Sequence, residues 1–66
     1  MTDLNKAVLE FIKSYYKDKF EPPSLHIISE EFKWKSHNSA AKHVKVLVRN
    51  GLLAKLPSGK HIPTPS

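Results

Sequence analysis

The stretch SHNSAAKHVKVLVRNGLL, residues 36–53, has a spacing from which the rest of the chain can be read. Ala40, Val44, Leu47 and Val48 recur at intervals of four, three and one, which puts them on one face of a 3.6-residue helix. Ser36 is placed to cap its start. Asn50-Gly51 supplies the stop, because glycine accepts the left-handed backbone on which helices commonly end. The opposite face carries His37, Asn38, Ala41, Lys42, Lys45 and Arg49. This helix is therefore apolar on one side and cationic on the other.

Downstream the period changes to two. Leu52, Ala54 and Leu56 fall on one side and Leu53 and Lys55 on the other, the alternation of a strand. Pro57-Ser58-Gly59 suits a three-residue hairpin loop, with proline fixing the first turn residue and glycine taking the left-handed position that closes it. In that register Lys60 returns opposite Leu56 and Ile62 faces Ala54 on the buried side. Pro63 and Pro65 are expected to end the pairing.

Upstream, Leu4, Ala7, Val8, Phe11, Ile12 and Tyr15 form one stripe of a helix running from about Asp3 to Lys19, capped by Thr2 or Asp3. Pro22-Pro23 prevents it from continuing far beyond Phe20. Ser24 then caps a shorter helix whose inner face holds Leu25, Ile28 and Phe32. Lys33-Trp34-Lys35 makes a tight connection to Ser36, with the Trp34 indole expected in the core. The order is helix, helix, helix, hairpin.

Sixty-six residues permit one small domain, and the absence of cysteine leaves its stability to a single apolar core. The hydrophobic fraction of 39% is enough for a folded globule rather than a disordered chain. The net charge of +5 is unevenly distributed. All six acids lie at or before Glu31, so residues 1–34 sum to −1 and residues 35–66 to +6. A half with cations and no anions is relieved most directly by a polyanion, although a solvated lysine-rich surface has the same composition. No apolar run approaches the roughly 18–20 residues that span a bilayer, and Met1 to Asn5 lacks the pattern of a secretory signal, so a cytoplasmic protein is expected.

Two helices joined by a tight turn, the second basic on its outer face and followed by a hairpin, describe a winged helix-turn-helix: mainly α with a small β-hairpin, three helices plus a wing. The run from Glu21-Pro22-Pro23-Ser24 through Ile28-Ser29-Glu30-Glu31-Phe32 and on to Leu53 resembles the DNA-binding domain of the LexA repressor family over nearly the whole chain. The resemblance implies a DNA-reading domain over residues 1–62 and a loose tail or linker over residues 63–66. It matches Ser36 and Asn38 to positions that contact operator bases and backbone, Ser39 to a base-contacting position, His43 to a histidine within the helix, and Arg49 to a basic position near a phosphate. Ala41 and Lys42 stand where the family carries two base-reading glutamates, His37 replaces a proline, and Lys33 occupies a turn position where glycine is common. The family's usual C-terminal peptidase-like domain cannot fit in 66 residues, so either an excised domain or a stand-alone regulator is expected.

The candidate interface thus comprises Ser36, His37, Asn38, Ser39, Ala41, Lys42, Lys45 and Arg49 on the third helix, with Lys35, Lys55, Lys60 and His61 from the wing and flanks. Asn38 suits bidentate bonding to adenine, and Lys42 donation to guanine or phosphate. Ser36 has a competing duty as a cap. Metal and hydrolytic sites are not expected. No two of His26, His37, His43 and His61 have the i, i+4 spacing of a helical site, and Ser36 or Ser39 near His43 lacks an acid. The expected function is that of a bacterial or phage transcriptional repressor that binds double-stranded DNA without enzyme activity or cofactor. It would act as a monomer alone or as two copies on a pseudo-palindromic site. The alternative is a winged-helix adaptor or antirepressor that contacts another protein.

Overall fold

The computed structural model describes residues 3–64. Three helices, α1 (Asp3–Lys19), α2 (Leu25–Glu31) and α3 (His37–Arg49), precede an antiparallel pair, β1 (Leu53–Lys55) and β2 (His61–Pro63). This is the winged helix-turn-helix order. The expected cap Thr2 lies outside the described residues.

One core joins all three helices to the wing. Val8, Leu9 and Ile12 come from α1, Ile28 from α2, Ala40, Val44 and Leu47 from α3, and Leu53 from β1. The inner face of α3 is the expected one, while that of α1 is rotated. Leu4 is 40% exposed and Ala7 is also outside, whereas Leu9 and the polar Asn5 are each only 6% exposed. Asn5, Val8, Leu9 and Ile12 also follow helical spacing, and His43 on α3 decides between the two stripes by donating its Nδ1–H to Asn5 Oδ1. A buried amide with a partner costs far less than one without.

The helix-turn-helix is built from local chemistry. Ser24, in extended conformation, accepts the Ile27 N–H at 3.3 Å and starts α2. At its end, the Lys33 N–H reaches Glu30 O at 3.2 Å and the Trp34 N–H reaches Ser29 O at 2.8 Å. These two bonds define a Schellman termination, and they place Lys33 in the left-handed region with φ 56°. The turn keeps the geometry that glycine would favour and accepts the strain of a lysine Cβ. Trp34 is half-buried rather than fully interior. It stacks between Phe32 and His43, with ring centroids 5.0 Å away on each side. Three aromatic rings thereby seal the turn against α3.

The far end of α3 repeats the termination. The Gly51 N–H bonds Val48 O at 3.0 Å and the Leu52 N–H bonds Leu47 O at 2.9 Å, with Gly51 at φ 75°. Because Leu52 still belongs to the helix end, the alternation begins one residue later than expected. Leu53 is the inward residue, 2% exposed, and Ala54, Leu56 and Ile62 are half-buried on the other face. The register itself is as expected, with Ala54 opposite Ile62 and Leu56 N–H bonded to Lys60 O. Gly59, at φ 92°, closes the loop.

Pairing does not stop before Pro63, which lies opposite Leu53 in the ladder. The flanking bonds, Leu56 N–H to Lys60 O and Thr64 N–H to Leu52 O, set the hydrogen-bonded positions, and Pro63 falls between them where no inward N–H is needed. Thr64 adds a side-chain bond to Gly51 O at 2.7 Å. Of the expected loose tail, Pro63 is therefore paired with β1 and Thr64 is bonded to the turn that follows α3; Pro65 and Ser66 lie outside the described residues.

Candidate nucleic-acid interface

Helix α3 starts at an extended Ser36, whose Oγ accepts the Asn38 N–H at 3.1 Å. This is the capping role foreseen as a competitor to DNA contact, and the two are compatible. A hydroxyl that accepts a backbone N–H still has its own O–H to donate. Ser29, buried in α2, points its Oγ at Ser36 O at 3.5 Å and links the scaffold helix to the start of α3.

Side chains of the first three turns diverge by position. Asn38, Lys42 and Lys45 are exposed and, together with half-buried Ala41, line a shallow open depression. Ser39 is half-buried, its N–H bonded to Ser36 O at 3.3 Å. Arg49 is exposed in the last turn of α3, away from that depression.

A second concavity, of about 430 Å³, separates α3 from the wing. Its apolar floor includes Leu25, Val44 and Val48, and its rim brings Lys45 of α3 together with Lys55 and His61 of the hairpin. The two concavities share Ala41 and Lys45, so helix and wing present one continuous surface. Lys35 and Lys60 line neither. Burial, and then the charge of Lys55, hold the His61 imidazole below its ordinary value of 6.5, which favours the neutral ring near pH 7.

The charge on this surface is unneutralised. Among the described residues the ion pairs are Lys19 with Asp18 and His26 with Glu30, and neither involves a cation from residues 35–66. The family model for the LexA DNA binding domain matches residues 1–60. This chain belongs to the LexA DNA-binding domain family. It is 34% identical to a LexA repressor of Opitutus terrae over 80% of its own length, 33% identical to one of Saccharophagus degradans over 86%, and 37% identical to one of Anaeromyxobacter sp. over 98%. The chain spans 26 to 29% of the length of these curated relatives.

In this LexA-type domain, three residues absent from the expected interface shape it. Asn5 at the edge of the His43 ring and Trp34 on its face hold His43, and through it the middle of α3. His26 of α2 meets His37 at the start of α3, ring nitrogens 3.0 Å apart. Sequence spacing gives no sign of this last contact, because the two histidines are eleven positions apart on different helices. Asn5 carries a weak sign, as a polar residue at i, i+3, i+4 and i+7 spacing from Val8, Leu9 and Ile12.

Proposed function

We propose that this chain binds double-stranded DNA in a sequence-dependent manner and represses transcription by occupying promoter DNA. The observation that carries this reading is the outer face of α3, where Asn38, Lys42 and Lys45 stand exposed with no ion-pair partner among the described residues. Helix α3 enters the major groove. The Ser36 end offers its O–H and the positive end of the helix dipole to a phosphate, the arrangement that helix N-termini provide for anions. Asn38 reads adenine through two hydrogen bonds, Ala41 offers a methyl contact to thymine, and Lys42 donates to guanine. Without a carboxylate on this face, no charged acceptor is offered to the cytosine amino group. The preferred operator therefore differs from one read by glutamates at positions 41 and 42.

Lys45, Lys55 and His61 follow the phosphates beside the groove, with Lys35, Lys60 and Arg49 as outlying backbone contacts. One copy covers one half-site, and two copies side by side occupy a pseudo-palindromic operator.

The test is selection of bound duplexes from a random pool, followed by titrations of the selected site at several salt concentrations. Affinity is expected to fall with salt at a slope near −0.9 per neutralised phosphate. Asn38→Ala is expected to cost about 1–3 kcal/mol on the selected site and flatten the preference at one base pair. Lys45→Ala should weaken all sequences alike and reduce the salt slope by about one. A pool that emerges without a consensus, or binding indifferent to salt, would favour a protein partner for this face.

A further inference from the structure

We propose that His26 and His37 form a binding site for a divalent transition-metal cation, with Zn²⁺ as the probe, that clamps the scaffold helix to the start of the recognition helix. His26 Nδ1 and His37 Nε2 lie 3.0 Å apart with the rings at 76°. Two bare lone pairs at that separation repel and two N–H groups collide, so the contact holds a single proton between the rings.

The other nitrogen of His26 settles which ring supplies that proton. His26 Nε2 lies 2.9 Å from Glu30 Oε1, one helical turn along α2, and a carboxylate requires an N–H there. In the neutral ring Nδ1 is then the acceptor, and His37 Nε2–H is the donor. A carboxylate on the distal nitrogen is also what orients imidazoles that ligate metals and raises their basicity. The pair thus has one oriented ligand and a second ligand facing it.

The separation fits an ion in place of the proton. With metal–nitrogen distances of about 2.0–2.1 Å, two imidazole nitrogens stand about 2.9 Å apart at a right angle and about 3.3 Å apart at the tetrahedral angle. The observed 3.0 Å lies between these values, so only small ring rotations are needed. On binding, His37 Nε2 gives up its proton and Nδ1 of the same ring takes one from solvent, so the ring stays neutral and both facing nitrogens donate lone pairs to the ion. Imidazole ligands suit Zn²⁺, Ni²⁺ and Cu²⁺ over harder cations. Among the described residues no group of three or more histidine or acidic side chains is placed to hold one ion, so water completes the coordination. Both rings are exposed, which leaves the ion a path from solvent.

The experiment titrates the 66-residue chain with ZnCl₂ in a non-chelating buffer without DNA, following heat release and the histidine ring resonances. Saturable one-to-one binding is expected, with the rings of His26 and His37 shifted, those of His43 and His61 unmoved, and EDTA reversing the change. His26→Gln and His37→Gln should each lower the affinity at least tenfold while circular dichroism stays native, and Glu30→Gln should lower it by about tenfold. The melting temperature should rise with ZnCl₂ in the parent chain and stay level in His26→Gln. Absence of saturable heat, equal movement of all four histidine rings, or undiminished binding in both glutamine variants would overturn the proposal. Because DNA is absent, none of these outcomes depends on the DNA-binding reading.

Discussion

Helices α2 and α3 end in the same pair of backbone hydrogen bonds, yet different residues make the turn. After α3 the left-handed position is Gly51, at φ 75°, and after α2 it is Lys33, at φ 56°. The position three residues from each end also differs: Leu47 is fully buried in the core, whereas Ser29 sends its hydroxyl towards Ser36. One terminus is stabilised by apolar packing and an unstrained turn. The other is held by an aromatic stack and a polar link, against a strained turn. The strained end is the one that sets the entry into α3.

The largest test of this contrast is at the third position. Leu47→Ala should cost about 2–5 kcal/mol, a large part of the roughly 3–10 kcal/mol expected for a domain of this size, as read from urea unfolding midpoints. Ser29→Ala, which removes only a long hydrogen bond, should cost about 1 kcal/mol or less. Equal losses would mean that the two ends are held in the same way.

The turn residues give smaller effects of opposite sign. Gly51→Ala should destabilise by about 1 kcal/mol, because a Cβ there meets no atom within 4 Å and the cost is conformational alone. Lys33→Gly should stabilise by about 0.5–1 kcal/mol, the left-handed penalty reduced by glycine's greater freedom when unfolded. Loss of stability in Lys33→Gly would show that the lysine side chain contributes more than its backbone costs.

The smallest effect concerns what lies beyond the glycine turn. His61 is depressed below 6.5 in the fold, so below that pH the unfolded chain binds more protons than the folded one. Stability should therefore decline as pH is lowered from 7 through 6.5, and His61→Gln should flatten that part of the profile. A phosphate beside the ring would favour its protonated form, so DNA affinity should rise over the same interval in the parent chain and not in His61→Gln.

The legible parts of the fold were those written in short-range chemistry. Ser24 and Ser36 as caps, Pro22-Pro23 and Asn50-Gly51 as stops, and Pro57-Ser58-Gly59 as a loop act within a turn of their own position, and they fixed the element order and the hairpin register. What depended on distant partners was not legible. Asn5 enters the core because of a histidine 38 residues away, and Leu53 rather than Leu52 points inward because the helix termination uses one extra residue. The pairing of Pro63 follows from hydrogen-bond parity set at Leu52 and Leu56. For the candidate interface, periodicity sufficed to place Asn38, Lys42 and Lys45 on an exposed face. It could not show that Lys45 faces the wing cations across a cleft, or that His37 meets His26 across the turn.

The two bonds from Thr64 to Gly51 and Leu52 give the domain a mechanical property. Tension applied to the chain at Thr64 is delivered to the turn that ends α3 instead of being taken up by a slack connector. A load on that strand would loosen α3 from its C-terminal end first, while its start stays anchored by Ser36 and the aromatic stack.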